Sequence, residues 1–188
     1  MLDQKPAGCH IIDVRNDYES EVGHFKGAIK PPLGAFREFP GYTEELEKTV
    51  DKEKDTVLMY CTGGIRCEYY ASYLKNKGFR SIYQLDGGVI QYANEVGAEH
   101  WKGKLFVFDD RLTVALGDEE TLSHCIHCGA SADTYYNCAN MDCNALFTSC
   151  HSCASKMQGL CQDACKEGRV RAFDPSKKPK PFPRLSES

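Results

Sequence analysis

The sequence predicts an α/β fold, a parallel sheet with helices on both faces, followed by a small cysteine-rich metal-binding module. Three observations predict it. Short β-rich runs alternate with helical patterns through the first part of the chain. One cysteine stands where a buried run meets a helix, and eight of the eleven cysteines crowd between Cys125 and Cys165.

Cys9 to Val14 is the first β-rich run, and Thr43 to Val50 has helical periodicity. Thr56 to Tyr60 is apolar and β-branched enough for a strand buried on both faces. Arg66 to Asn76 then places Tyr70, Ala71 and Leu74 on one helical stripe, which Gly78 stops. Ser81 to Leu85 reads as a further strand and Val89 to Val96 as a further short helix. Such alternation argues for parallel strands with ligands at their carboxyl ends, and Cys61 lies at such an end.

The sheet domain is expected over residues 1–111. Leu112 to His124 carries Gly117, Asp118, Glu119 and Glu120 with few apolar side chains, so 112–124 reads as a linker. The cysteine-rich module takes 125–165. In the tail, 166–188, Lys166, Arg169, Arg171, Lys177, Lys178, Lys180 and Arg184 outnumber the acids, and Pro175, Pro179, Pro181 and Pro183 are interleaved. This basic, proline-rich segment is expected to be extended and poorly ordered.

A hydrophobic content of 41% supports one moderate core, and a net charge of −4 gives no overall basic field. Any nucleic acid must then meet a local patch. No apolar run approaches the roughly 20 residues that span a bilayer, and Met1 to Pro6 lacks the charge-then-apolar order of a secretory leader. The protein is therefore expected in the cytoplasm, where clustered cysteines point to metal before disulfides.

The run Tyr60-Cys61-Thr62-Gly63-Gly64-Ile65-Arg66-Cys67-Glu68 reads as a nucleophile loop. A cysteine between strand and helix faces backbone N–H groups and the positive end of the helix dipole, so Cys61 is expected as a thiolate. Thr62, Gly63, Gly64 and Ile65 serve through their amides, which converge only where side chains leave room. Arg66 adds a positive charge. It is the expected dock for an anionic donor, with a salt bridge to a nearby carboxylate as the alternative. Phosphoryl-binding cysteine loops follow C-x5-R, whereas only four residues separate Cys61 from Arg66 here. The smaller cradle suits a sulfur atom and points to a persulfide carrier. Cys67 is a candidate resolving thiol against an oxidised Cys61, with packing as its plainer role.

The chain resembles the rhodanese-type sulfurtransferases. Ile11 to Glu19 is similar to the family's D-V-R-x-x-x-E element, Gly23 to Ile29 to its G-H-x-x-G-A element, and Tyr83 to Gly88 to its L-x-G-G turn. A narrower resemblance rests on the Cys61 to Glu68 loop, Phe36 to Pro40, Phe106 to Arg111 and the cysteine-rich segment. It is to the rhodanese-domain tRNA wobble-uridine hydroxylases and their eukaryotic rhodanese-domain relatives. The resemblance implies a rhodanese-like sheet domain. Its leading strand and helix are expected to be missing, because only Met1 to Gly8 precede the first motif. The primary expectation is a sulfurtransferase that takes sulfane sulfur from a small donor such as thiosulfate and carries it on Cys61. The alternative is oxygen-dependent hydroxylation of a wobble uridine within a longer protein, with the tail and metal module contacting tRNA. A second alternative is a non-catalytic protein- or RNA-binding module, against which the intact Cys61, Gly63, Gly64 and Arg66 argue.

In the module the cysteines form four pairs, Cys125 with Cys128, Cys138 with Cys143, Cys150 with Cys153, and Cys161 with Cys165. Pairs at such spacing present two sulfurs to a tetrahedral ion at about 2.3 Å, so two structural zinc ions account for all eight. Interleaved ligation would join Cys125, Cys128, Cys150 and Cys153 around one ion and Cys138, Cys143, Cys161 and Cys165 around the other. Sequential ligation is equally compatible with the spacing. His124, His127 and His151 stand beside the pairs, but the cysteines suffice.

Overall fold

A computed structural model describes residues 6–109, 111–117 and 120–177. They form two compact units, one of the described residues up to 105 with 115–117, the other of those in 106–114 and 120–177.

The first unit is built on three parallel strands in the order β1 (Cys9–Asp13), β3 (Thr56–Tyr60) and β4 (Ser81–Gln84), with Ile12 opposite Met59 and Thr56 opposite Ser81. Between β1 and β3 run α1 (Asp17–Val22), β2 (Gly23–Phe25), a 3-10 turn at Phe36–Glu38 and α2 (Phe39–Leu46). Helix α3 (Ile65–Asn76) joins β3 to β4, and α4 (Gly88–Glu95) leads to β5 (Trp101–Gly103), which pairs antiparallel with β2.

The two-residue period of a strand explains why helices cover both faces. Ile12, Val57 and Met59 pack with Phe39, Leu46, Tyr70 and Leu74 of α2 and α3. Tyr60 points the other way, and its ring lies 4.8 Å from that of Phe25, which meets Tyr92 of α4 at 4.9 Å and Trp101 at 5.0 Å. These edge-to-face contacts add to burial a term of about 0.5–1.5 kcal/mol per pair. The helix expected over 43–50 begins earlier in the structure, at Phe39, because Pro40 suits a first turn where its missing N–H costs nothing.

Strand β6 (Leu105–Phe106), whose Phe106 opens the second unit, pairs with β7 (Thr113–Val114). A hairpin follows, β8 (Tyr135–Asn137) with β9 (Leu146–Thr148), then α5 (His151–Lys156) and a 3-10 turn at Asp163–Lys166. Two differences from the sequence reading appear here. The expected linker carries β7. Leu112 is buried and its carbonyl accepts from the Val107 amide at 2.8 Å, so this stretch folds back rather than merely connecting. Asp118 and Glu119 lie outside the described residues.

The tail is also not extended throughout. Arg171 donates from its backbone to Ala139 O at 2.9 Å, and its guanidinium donates to Cys138 O at 2.8 Å and Asn144 Oδ1 at 2.7 Å. Phe173 packs beside Tyr136 and sits so close to Gly159, at φ +70°, that a Cβ there would lie 2.3 Å from its ring. With Arg169, whose guanidinium donates to Asp142 at 2.5 and 3.0 Å, these contacts tie the tail to the module as far as Phe173, while 178–188 lie outside the described residues. No helix among the described residues is long and apolar enough to cross a membrane.

Candidate active site and metal centres

Cys61 follows directly on β3, and α3 starts at Ile65. Gly64 makes the turn between them with φ +93°, a conformation that glycine adopts freely. Its N–H donates to Cys61 Sγ at 3.1 Å. The loop rests on the next strand-to-helix turn, because Val89 N–H donates to Cys61 O at 3.0 Å and Ile90 N–H to Thr62 O at 3.1 Å. A Cβ on Gly88 would stand 2.5 Å from Cys61 O and 2.6 Å from Thr62 O. The two glycines of the Tyr83 to Gly88 motif therefore include one whose missing side chain lets the two turns touch.

The Cys61 thiol is lowered from its ordinary value to about 5. The largest cause is the hydrogen bond from the Cys67 thiol. The Cys67 and Gly64 amides and the Arg66 charge act in the same direction, against burial. The expected thiolate is thus supported by an unexpected donor. Cys67 itself is fully buried and pushed far above the thiol range by the thiolate beside it and by its burial, so it stays protonated. Among the loop residues, Thr62 turns its hydroxyl to Glu19 at 3.3 Å, Ile65 exposes its side chain, and Gly63 has open space where a Cβ would stand.

The structure pairs Arg66 with a carboxylate. Its guanidinium donates to both oxygens of Glu19, at 2.5 and 2.9 Å, and Glu19 is fully buried. Glu19 also accepts from Asn16 N–H at 3.1 Å, closing the first turn of α1. Nothing local in the sequence connects these residues, which lie 47 positions apart. Arg66 is therefore a brace that fixes the loop to α1 while its charge still reaches Cys61. Replacing it with alanine removes that charge and leaves Glu19 buried and unpaired. The Cys61 titration midpoint is expected to rise, and iodoacetamide alkylation at pH 6 to slow by roughly tenfold. Identical pH profiles in the two proteins would show that Arg66 has no electrostatic part in the site.

Behind the loop lies a second buried ion pair. Arg15 donates to Asp13 at 2.9 and 2.6 Å and to Gly23 O at 2.6 Å, and its guanidinium stands 5.1 Å from the Trp101 ring centroid. Tyr60 donates to the same Asp13 at 2.7 Å, so the residue before the nucleophile is pinned through its hydroxyl. His24 Nδ1 meets Ser20 O at 2.9 Å, and Phe36 and Tyr42 pack against the buried Phe39.

In the second unit the sulfurs of Cys125, Cys128, Cys150 and Cys153 converge within 4.8 Å of one another, as do those of Cys138, Cys143, Cys161 and Cys165. Interleaved grouping is thus selected over sequential pairing. The hairpin of β8 and β9 stands between the two pairs of the first cluster and carries Cys138 and Cys143 of the second in its connection, and α5 presents Cys150 and Cys153 on one turn. Sulfurs about 2.3 Å from a shared ion lie about 3.8 Å apart in a tetrahedron. Cys128 to Cys150 is 3.8 Å, Cys143 to Cys161 is 3.7 Å and Cys161 to Cys165 is 3.6 Å. Each cluster can hold one metal ion.

Residues 1–95 match the rhodanese-like domain family and residues 102–166 the rhodanase C-terminal family. A tRNA uridine(34) hydroxylase of Chlamydia caviae is 52% identical over 182 residues, which are 94% of this chain and 55% of that protein. Proteins of the same name from Chlamydia felis and Chlamydia pneumoniae are 52% and 51% identical, each with 56% of its length covered. The chain spans about half the length of these curated relatives.

Proposed function

Because the chain belongs to the rhodanese-like domain family, with a rhodanase C-terminal segment behind it, we propose that it works in hydroxylating a wobble uridine of tRNA, with Cys61 as the catalytic nucleophile. The observation that carries this reading is the 52% identity, held over 94% of the chain, to a relative named for that reaction. It favours the hydroxylase alternative over the sulfurtransferase that the loop spacing led us to put first.

The chemistry suits the site. C6 of a uracil is a conjugate-addition acceptor, and a thiolate at neutral pH is the side chain best able to attack it. Addition forms the sulfur–C6 bond and moves the electron pair to C5, which becomes the carbon able to take up oxygen. Arg66 and Glu19 hold the loop, and the Gly64 N–H holds the sulfur. The test is to incubate the chain with tRNA that carries uridine at position 34, in air and with a small thiol, and to weigh the digested nucleosides. A uridine gaining one oxygen atom is expected. Unmodified uridine throughout would overturn the reading.

A second reading keeps Cys61 as a sulfur carrier. It is favoured by the four-residue spacing to Arg66 and by the Gly64 amide aimed at the sulfur. Thiosulfate would lose sulfite to leave a Cys61 persulfide, whose outer sulfur passes to a nucleophilic acceptor. Both readings place the protein in the reducing cytoplasm. The metal we propose is zinc, one structural ion per cluster, since four thiolates in a tetrahedral array suit it best. The tRNA contact proposed for the module and tail falls partly on Lys178, Lys180 and Arg184, outside the described residues.

A further inference from the structure

We propose that the outward face of the β2–β5 ribbon, which carries Lys26, Lys102 and Lys104, is the surface on which the first unit holds the sugar–phosphate backbone of tRNA. The uridine-hydroxylation reading above supplies the RNA, and to that extent the proposal rests on it.

Register brings the three lysines together. Gly23 stands opposite Gly103, His24 opposite Lys102 and Phe25 opposite Trp101. The pairing runs on at both ends, since Lys26 N–H donates to His100 O at 2.8 Å and Lys104 N–H to Val22 O at 2.7 Å. Successive side chains of a strand alternate between its faces. Phe25 and Trp101 turn inward to each other, so His24, Lys26, Lys102 and Lys104 share the opposite face. Lys26 and Lys102 are exposed and Lys104 is half-buried. None of these four positions carries an acid. Burial holds His24 below its ordinary value, so the charge here at neutral pH is that of the lysines.

Other exposed cations of the first unit sit beside acids. Lys48 pairs with Glu45, Lys52 with Glu47, Lys54 with Asp51 and Arg80 with Glu53. Lys26 and Lys102 form no ion pair with any described residue. Like charges on neighbouring positions of one sheet face oppose one another. The ribbon does not need them, because Phe25, Tyr60 and Trp101 hold it from its inner side. In a chain of net charge −4, three cations kept together make the local patch that a nucleic acid requires.

The ribbon is also fastened to the nucleophile loop. Phe25 N–H donates to Tyr60 Oη at 3.3 Å, and Tyr60 directly precedes Cys61. His24 Nδ1 meets the carbonyl of Ser20, the neighbour of the Glu19 that braces Arg66. RNA held along this face has its backbone fixed close to the loop where one uridine must reach the sulfur. Lysines suit that task, being point charges that bind phosphate without reading the base.

The test is the salt dependence of binding to tRNA that carries uridine at position 34. Each phosphate contact adds about 0.7–0.9 to the slope of log affinity against log salt. The triple variant Lys26→Gln, Lys102→Gln, Lys104→Gln should lower that slope by about two and weaken binding roughly tenfold or more at about 0.15 M salt. Its Cys61 should alkylate at the wild-type rate, and the variant Lys26→Arg, Lys102→Arg, Lys104→Arg should keep the binding. A control that removes the same charge elsewhere, Lys48→Gln, Lys54→Gln, Lys75→Gln, should bind as the wild type does. In the nucleoside assay the glutamine variant of the ribbon should need roughly tenfold more tRNA for half its rate, at an unchanged maximal rate. An unchanged slope in that variant, or an equal fall in the control, would overturn the proposal and leave the hydroxylation reading standing. Binding of phosphatidylglycerol vesicles with none of tRNA would overturn it as well, by making the face a membrane contact. The expected loss of slope in a chain that forms no hydroxyuridine would keep the surface and overturn the hydroxylation reading.

Discussion

Replacing Cys61 with serine is expected to lower activity by about a thousandfold or more, for either reading of the site, while the fold survives. The reason lies in ionisation. The protein lowers the Cys61 thiol to about 5, so the reactive form dominates at neutral pH. A serine hydroxyl starts far higher, and the same donors cannot bring it into reach. The substitution is mild for the structure, because serine is smaller and can still accept from Gly64 N–H, which lies 3.1 Å from the sulfur. Hydroxyuridine formation and transfer of sulfur from thiosulfate to cyanide are both to be measured, alongside a denaturant titration. Retention of most of either activity in a folded variant would remove Cys61 from that reaction. Loss of one activity alone would tell which chemistry passes through this sulfur.

Much of this site is written in consecutive residues, which is why the sequence exposes it. The strand, the turn at Gly64 and α3 are local, and each has its own signal in β-branched residues, glycine and helical periodicity. The partners of the loop are different. Glu19 meets Arg66 across 47 positions, and Tyr60 reaches Asp13 through the neighbouring strand, so no window of sequence contains either pair. The pairing of β2 with β5 is invisible for another reason. Each strand has three residues, too few for an alternating pattern, and what joins them is the aromatic group of Phe25, Tyr60, Tyr92 and Trp101. The cysteine spacing of the second unit names the ligands but is the same for interleaved and sequential use. Only the hairpin between β8 and β9, which carries one cysteine pair away from the other, decides it.

Removal of metal is expected to unfold the second unit and leave the first intact. One core cluster of the second unit holds Tyr136, Cys138, Ala139, Phe147, Ala154, Leu160 and Cys165, and two of these seven are themselves candidate ligands, while Phe106, Leu112 and Tyr135 are buried besides. Burial of so few large side chains offsets only part of the ordering entropy of the segment. Structural zinc contributes about 10–16 kcal/mol per site at neutral pH, enough to reverse that balance. Without a cation the sulfurs also oppose one another, and Cys153 is pushed up to about 12 by the Cys150 and Cys128 sulfurs it bonds. The first unit has no such dependence, since Phe39 and Leu46 of α2, Tyr70 and Leu74 of α3, and Phe79 just beyond α3 close its core. Metal analysis should return about two ions per chain. After chelation, limited proteolysis should cut within 120–177 while Cys61 keeps its rapid alkylation. A metal-free protein whose cysteine-rich segment resists protease as before would show that the eight thiols hold the fold by themselves.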